Sequence, residues 1–144
     1  MEKIVIKLVE NKKELEDAQS VRYQVFTLEQ GIDKNLDIDG KDEGSEHIIA
    51  YLGAKSVGTI RIRYPQKNGV KLERMAVLLT VRGQSIGKKI LDFTLNYLTS
   101  KGVKSIYLDS QYHAKGFYEK FGFKVIGDKF TEVGIDHVKM KKEL

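Results

Sequence analysis

The sequence contains no cysteine among its 144 residues. This absence excludes disulfides, thiolate metal sites and a cysteine nucleophile, and it favours a cytoplasmic protein. No apolar run approaches the roughly 20 residues that a membrane-spanning helix needs, so we expect no membrane partner. Residues 1–7 are typical of a strand and not of a signal peptide. Because repeats, linkers and low-complexity segments are also missing, we expect a single domain over residues 1–144.

The net charge of +5 is unevenly distributed along the chain. Residues 1–72 hold 12 Lys/Arg and 12 Asp/Glu, whereas residues 73–144 hold 13 and 8, so the whole excess lies in the second half. Such an excess suits nucleic acid, a phosphorylated cofactor or simple solubility. The charges are too scattered for a nucleic-acid stripe and no recognition helix is visible, so we expect no nucleic-acid partner.

Hydrophobic spacing and turn residues predict the element order β-α-β-β-β-α-β-α-β-β. Strands are predicted at residues 3–9, 47–52, 57–64, 70–77, 103–109, 123–130 and 137–141. Helices are predicted from just after Asn11 to about Gln30, at 84–100 and at 114–120, with turns at 53–56 and 65–69. This order indicates an α+β fold with a mixed, mostly antiparallel central sheet flanked by helices.

Residues 72–89 combine a strand, a glycine-bearing loop and the first turn of a long helix. A helix start exposes amide N–H groups without intrahelical partners, and its dipole favours negative charge. Arg82, Lys88 and Lys89 add positive charge around the same turn. We therefore predict that this loop holds a diphosphate-bearing cofactor.

Residues 32–46 form an acidic segment that nearly matches a calcium-binding EF-hand loop from Asn35 onward. Asn35 stands where Asp is usual, Asp42 stands where an apolar residue is usual, and a strand follows in place of an exit helix. We interpret the segment as a solvated loop near a substrate entrance. The three histidines of the chain are not spaced as a metal site, and no metal is expected.

Two motifs, together with the element order, resemble the GNAT superfamily of acyl-CoA-dependent N-acyltransferases. Residues 82–87 (Arg-Gly-Gln-Ser-Ile-Gly) are similar to the family's phosphate loop Gln/Arg-x-x-Gly-x-Gly/Ala, with Ser85 at the middle glycine. Residues 111–123 are similar to its signature Asn-x-x-Ala-x-x-hydrophobic-Tyr-x-x-x-Gly-Phe, with Gln111 in place of Asn. Residues 22–30, the acidic segment and residues 134–137 resemble the ElaA-like branch of small acetyltransferases.

The resemblance implies acetyl-CoA as co-substrate, bound where two central strands splay apart. The residues implied in its binding are Met75, Ala76 and Val77 for the pantetheine and acetyl groups, Arg82, Gly83, Gln84, Ser85, Ile86, Gly87 and Lys88 for the pyrophosphate, and Gln111 and Tyr118. The absence of cysteine fits direct attack by an amine within a ternary complex, without an acyl-enzyme.

The same resemblance implies that Tyr118 is the general acid, since a phenol is protonated at neutral pH and can donate to a departing thiolate. The alternative is that Tyr118 only bonds the CoA sulfur or packs. For the general base, Glu73 competes with Glu29 and His113. Arg61, Arg63 and Arg74 suit either an acidic acceptor or salt bridges on the sheet face.

Two functions stay open on the sequence alone. The first is an acetyl-CoA-dependent N-acetyltransferase that acts on a primary amine of a small molecule or peptide. The second is a non-catalytic module on the same fold, which binds CoA or another protein. Exposed edge strands and the apolar tail strand also make a homodimer an expectation.

Overall fold

In the computed structural model, which describes residues 2–66 and 69–144, strands and helices follow the predicted mixed order. The strands are β1 (Ile4–Leu8), β2 (Glu46–Leu52), β3 (Lys55–Gln66), β4 (Gly69–Val77), β5 (Ser105–Gln111), β6 (Lys124–Val125), β7 (Phe130–Glu132) and β8 (Ile135–Glu143). The α-helices are α1 (Lys12–Arg22), α2 (Lys34–Asp37), α3 (Ile86–Ser100) and α4 (Lys115–Glu119). A π-helical segment (Tyr23–Glu29) extends α1, and short 3₁₀ turns precede α3 and α4. The predicted α+β class is confirmed.

The described residues form an eight-stranded sheet in the order β1-β2-β3-β4-β5-β8-β6, with β7 also paired to β8. The pairs from β1 to β4 are antiparallel, β4 and β5 are parallel, and β5 and β8 are antiparallel. Neighbouring residues of a strand face opposite sides of the sheet. The side of Gly58 meets Ile86 and Ile90 of α3, whereas the side of Arg61 meets the loop that follows α1.

The core lies between the sheet and its helices. Its fully buried side chains come from α1, β2, β3, α3, β5 and β8, and include Ile48, Ile60, Ile90, Leu91 and Ile106. Burying an aliphatic side chain of this size stabilises the fold by about 1.5–3 kcal/mol. Within the part of the chain that the structure describes, no helix has both the length and the hydropathy to cross a membrane.

The helix predicted after Asn11 is present but changes its winding at Tyr23. The Asn11 side chain accepts a hydrogen bond from the Glu14 amide at 2.8 Å, as the spacing predicts for a helix start. From Tyr23 the turns widen into the π-helical segment, a form often found at functional sites. Gly31 then ends the segment with φ +74°.

The strand predicted at 123–130 is wrong as a continuous element. Only Lys124–Val125 and Phe130–Glu132 pair with β8, because Gly127 adopts φ +86° between them and turns the backbone out of the ladder. The turn predicted at 53–56 is shorter, since β3 already begins at Lys55. Of the turn predicted at 65–69, residues 67 and 68 lie outside the described residues.

The tail strand is an inner strand of the sheet. It spans Ile135–Glu143 and pairs with β5 on one side and with β6 and β7 on the other. Its apolar residues Val138 and Met140 are buried within this chain. The tail strand therefore does not offer the apolar surface on which the expectation of a dimer partly rested.

β4 contains a β-bulge close to the point where the sheet opens. Thr59 pairs with Ala76 and Arg61 with Glu73, so β4 carries one extra residue over this stretch. Arg74 lies in the bulge with φ +56°, which is unusual for a residue with a side chain. On its other side, β4 pairs with β5 only from Val70 to Leu72. Beyond Leu72 the two parallel strands separate.

Candidate active site

A cavity of about 750 Å³ lies where β4 and β5 separate. Residues 73–77 of β4 form one wall and residues 109–111 of β5 form the other. The π-helical segment, the loop before α3, and α4 complete the lining. All of the site residues predicted from the sequence line this cavity except Gln84. The volume is in the range of about 300–1,000 Å³ that small-molecule sites have.

The loop before α3 has the backbone of an anion-binding turn. Gly83 and Ser85 lie in the left-handed region, with φ +88° and +62°. This conformation explains why a glycine suits the position of Ser85, since a side chain there is strained. Ser85 makes no side-chain capping bond to α3, so the amides of the first helical turn have no capping partner. These amides lie at the edge of the cavity, where Ile86, Gly87 and Lys88 line it.

Arg82 and Glu29 form a bidentate ion pair across the cavity. The two terminal nitrogens of Arg82 each donate to a different carboxylate oxygen of Glu29 at 2.6 Å. Arg82 Nε and Nη2 also donate to the backbone oxygen of Val77 at 3.1 and 2.9 Å. The hydrogen bond from Arg82 holds the pKa of Glu29 below its usual range. The predicted phosphate ligand and one of the predicted bases are thus bonded to each other.

Glu73 is surrounded by cationic side chains. Its carboxylate accepts a hydrogen bond from Arg61 Nη2 at 2.8 Å and lies 3.4 Å from both Arg63 and Lys71. Burial raises the pKa of Glu73, but the Arg61 hydrogen bond and the charges of Lys71 and Arg63 outweigh it and hold the pKa below its usual range. A carboxylate held in the ionised form in this way is a weak proton acceptor.

The acidic segment is largely exposed, as predicted for a solvated loop, but three of its aspartates are bonded to arginines of α1 and of the sheet. Asp42 Oδ1 accepts from both Arg22 Nη1 and Arg61 Nη1 at 2.9 Å. Asp39 makes two bonds to Arg61, at 2.9 and 2.8 Å. Arg22 and Arg61 are at most 1% exposed, so these bonds are largely shielded from water. Burial raises the pKa of Asp42, but its bonds to Arg22 and to a neighbouring glutamine outweigh this and lower it to about 2.

Asp37 is a further carboxylate of the acidic segment that bonds arginines, and it lines the cavity. It accepts hydrogen bonds from Arg22 at 3.1–3.2 Å and from Arg74 of the bulge at 2.8 Å. The arginines of the sheet face therefore have carboxylate partners within the chain. Among the described residues, no group of three or more His, Asp and Glu side chains is arranged to hold a metal ion.

A chain of neutral polar side chains crosses the cavity at the end of β5. Gln30 and Gln111 exchange reciprocal amide hydrogen bonds, Gln30 Nε2 to Gln111 Oε1 at 3.2 Å and Gln111 Nε2 to Gln30 Oε1 at 3.0 Å. His113 Nε2 lies 2.9 Å from the same Gln111 Oε1. His113 is exposed and lines the cavity. This chain links the end of the π-helical segment to the turn before α4.

Tyr118 projects from α4 into the wall of the cavity. Its ring packs edge-on against Phe117 and Phe123, with centroids 5.1 and 5.8 Å apart. Burial raises the pKa of Tyr118, so the phenol keeps its proton at neutral pH. Phe117 in turn lies next to Gly87, since a Cβ placed on that glycine would be 3.6 Å from its ring. Tyr118 is thus fixed close to the start of α3.

The sequence did not indicate three further residues of the cavity. Gln30 is 81 residues from its partner Gln111, and Lys71 bonds Asp109 across the two parallel strands at 3.1 Å. Helical or strand spacing carries no information on such pairs, because they depend on how distant elements pack. Only the register of β4 against β5 would have brought Lys71 and Asp109 together.

Comparisons with known proteins agree with this geometry. The profile of the family described as "Acetyltransferase (GNAT) domain" matches residues 12–144. A Bacillus subtilis (strain 168) protein named as the uncharacterized N-acetyltransferase YjcF is 36% identical over 137 residues, which cover 94% of this chain and 97% of that protein. Protein ElaA of Escherichia coli (strain K12) is 31% identical over 129 residues, which cover 86% of this chain and 84% of that protein.

Solved structures show the same fold. The crystal structure of Escherichia coli ElaA has a TM-score of 0.88 at 27% identity and covers 98% of this chain and 100% of that one. The crystal structure of a Bacillus subtilis acetyltransferase in complex with CoA has a TM-score of 0.71 at 22% identity and covers 99% of both chains.

Proposed function

The chain belongs to the GNAT acetyltransferase family, and we propose that it works as a single domain which transfers the acetyl group of acetyl-CoA to a primary amine. The amine is carried by a small molecule or a peptide, and it attacks the thioester directly in a ternary complex. The observation that carries this proposal is the cavity between β4 and β5, with a helix start at its edge and Tyr118 in its wall. The absence of cysteine is consistent with direct attack.

The residues at the cavity fit a CoA molecule. The amides from Arg82 to Lys88 would hold the pyrophosphate, because a left-handed loop before a helix start aims N–H groups at an anion. The backbone of Met75, Ala76 and Val77 lies beyond the point where β5 pairs with β4, so an extended pantetheine arm would add at this side of β4, where the Val77 oxygen now accepts from Arg82. Gln111 lines the opposite wall and would face the same arm.

We assign the role of general acid to Tyr118. The leaving thiolate needs a donor inside the cavity between β4 and β5, and Tyr118 lines that cavity with its ring packed against Phe117. A protonated phenol can donate a hydrogen bond or a proton to the sulfur. The alternative role, in which Tyr118 only packs against CoA, predicts weaker binding without a selective loss of turnover.

We assign the role of general base to His113 in preference to Glu73 and Glu29. The amine substrate must lose a proton, and both carboxylates are held in the ionised form by cationic partners. His113 has no such partner among its hydrogen bonds, since its Nε2 meets only a neutral amide. Glu73 or Glu29 would serve only after its arginine partner moves away.

Fewer observations support the expected homodimer than support the proposed reaction. Since β8 is an inner strand, an edge of the sheet formed by the described residues, at β1 or at β6 and β7, would have to provide a strand contact between subunits. Sedimentation at several protein concentrations tests this directly, because a dimer of this kind raises the weight-average mass above that of one chain.

Binding and turnover are tested by two separate experiments. Calorimetric titration with acetyl-CoA is expected to give saturable binding and a higher melting temperature. A thiol-release screen with acetyl-CoA and a panel of amines is expected to give turnover with at least one of them. Propionyl-CoA as a second donor measures the preference for acetyl.

The outcomes of these experiments separate the two candidate functions. No binding at millimolar acetyl-CoA would contradict both the proposed acetyltransferase and the alternative of a CoA-binding module. Tight binding with no thiol release over a broad panel would favour the module.

A further inference from the structure

Gln30 belongs to the row of neutral polar side chains that crosses the cavity, and it directly follows the π-helical segment. It contacts Gln111 through both atoms of its amide, at 3.2 and 3.0 Å, and neither contact involves a charge. Two amides paired in this reciprocal way fix each other's relative orientation, because each oxygen must meet a nitrogen. Gln30 therefore restrains the Gln111 amide with its oxygen toward His113, since turning Gln111 alone would break both bonds to Gln30.

The Gln111 oxygen that accepts from Gln30 also faces His113. Gln111 Oε1 lies 2.9 Å from His113 Nε2, and an amide oxygen can only accept a hydrogen bond. His113 Nε2 must then carry the proton. In a neutral imidazole this leaves the lone pair on Nδ1, which is the nitrogen able to take a proton from an amine.

We propose that Gln30 is a positioning residue that acts through Gln111 to hold His113 in the tautomer with its proton on Nε2 and its lone pair on Nδ1. In this arrangement His113 is the base, Gln111 orients His113, and Gln30 orients Gln111. The inference rests on the proposed function for the role of His113 as base. The tautomer itself is a property of the protein without any substrate.

The tautomer is measured by two-bond ¹H–¹⁵N correlation spectra of the imidazoles at a pH where they are neutral. The other two histidines supply internal references. His47 Nε2 lies 2.8 Å from the backbone oxygen of Asp42, and His137 Nδ1 lies 2.7 Å from that of Ile135, so the two are expected in opposite tautomers. The variant His113→Gln identifies the His113 signals.

The test variant is Gln30→Met, which keeps the length of the side chain and removes the amide. Gln24→Met is its matched control, because Gln24 lies in the π-helical segment that directly precedes Gln30 and its side chain bonds Ser20 instead of Gln111. We expect His113 in the Nε2–H form in the wild type and in Gln24→Met, and in a mixture of tautomers in Gln30→Met. We expect kcat to fall about tenfold in Gln30→Met, with KM for acetyl-CoA unchanged within about twofold.

A double variant shows whether Gln30 acts through His113 or affects turnover independently of it. If Gln30 acts through His113, then Gln30→Met combined with His113→Gln is no slower than His113→Gln alone. A wild-type His113 in the Nδ1–H form would overturn the proposal, and so would an unchanged tautomer in Gln30→Met. If no amine supports thiol release, the proposed function fails while the tautomer comparison still decides the role of Gln30.

Discussion

Two groups of side chains at the cavity are of opposite kinds. We call Asp39, Asp42, Arg61, Lys71 and Glu73 the charged wall, of which Lys71 and Glu73 line the cavity itself, and Gln30, Gln111, His113 and Tyr118, which all line it, the neutral wall. In the charged wall, each carboxylate lies within 3.4 Å of at least one cationic nitrogen. In the neutral wall, the recorded contacts are hydrogen bonds between uncharged groups and packing between rings.

The difference teaches that charge in an active site is not the same as reactivity. A carboxylate bonded to a buried arginine is stabilised as an anion, so it orients its neighbours but accepts protons poorly. The imidazole of His113 and the phenol of Tyr118 have no charged partner among their hydrogen bonds and ring contacts. The charged wall therefore holds the acidic loop and the bulge in place, and the neutral wall carries the proposed chemistry.

The largest expected effect is on stability, at the centre of the charged wall. Arg61→Met would leave Asp39, Asp42 and Glu73 without their shared partner, so we expect a loss of about 3–5 kcal/mol in the free energy of unfolding, measured in urea. Arg63→Met is the control, because Arg63 is more exposed and contacts only Glu73, at 3.4 Å; it should cost under about 1 kcal/mol. A loss below about 1 kcal/mol in the free energy of unfolding for Arg61→Met would show that the charged wall does not stabilise the fold.

The second effect concerns turnover at the neutral wall. Tyr118→Phe removes the proposed proton donor while keeping the ring that packs on Phe117, so we expect kcat to fall about 100-fold with the Kd for acetyl-CoA unchanged within about twofold. Tyr112→Phe is the control, since Tyr112 does not line the cavity. If Tyr118→Phe weakened binding and left kcat intact, Tyr118 would be a packing residue only.

The third effect is a loss of stability in acid. The pKa of Asp42 is lowered to about 2 in the folded chain, below its usual value of 3.8. A carboxyl whose pKa is lower in the folded state stabilises the fold above its unfolded pKa and loses this contribution as the pH falls through the folded pKa. Between about pH 5 and pH 2 we expect Asp42 to account for about 2 kcal/mol of the loss in unfolding free energy.

Two variants check the acid prediction. Asp42→Asn should be less stable than the wild type at pH 7 and should lose less stability on acidification. Glu16→Gln changes an exposed carboxyl and should follow the wild-type pH curve. An Asp42→Asn curve parallel to that of the wild type would contradict the assigned role of Asp42.

The smallest effect tests the Arg82–Glu29 pair, which joins the phosphate loop to the π-helical segment. Glu29→Gln should release Arg82 toward the CoA phosphates, so we expect acetyl-CoA to bind up to about fivefold more tightly. Arg82→Ala should weaken binding. Titration calorimetry measures both, and weaker binding by Glu29→Gln would instead show that Glu29 itself contacts the ligand.

The sequence predicted the parts of the site that are contiguous in the chain. The loop at 82–87 and the motif at 111–123 led to the GNAT family, and residues 22–30, the acidic segment and residues 134–137 led to its ElaA-like branch; both are confirmed. Local residue types determine such features directly, since glycines permit the turn and apolar spacing determines the helix. The position of Ser85 in the left-handed region also explains why the family motif has glycine there.

The parts that escaped prediction depend on distant pairs. The partners of the acidic loop lie on α1, β3 and β4, and Gln30 and Gln111 are 81 residues apart. The bulge at Arg74 depends on how β4 pairs with β3, and no glycine marks it. Glu73 was a candidate base because its sequence context does not reveal Arg61, Arg63 and Lys71 around its carboxylate.

The most direct test of the contrast between the two walls compares His113→Gln with Glu73→Gln. The thiol-release rate and the free energy of unfolding are measured for each variant. We predict that His113→Gln lowers kcat about 100-fold and leaves stability within about 1 kcal/mol of the wild type. We predict the reverse for Glu73→Gln, with a fall in kcat of less than tenfold and a clear loss of stability. Loss of turnover in a stable Glu73→Gln variant, with His113→Gln fully active, would contradict this account.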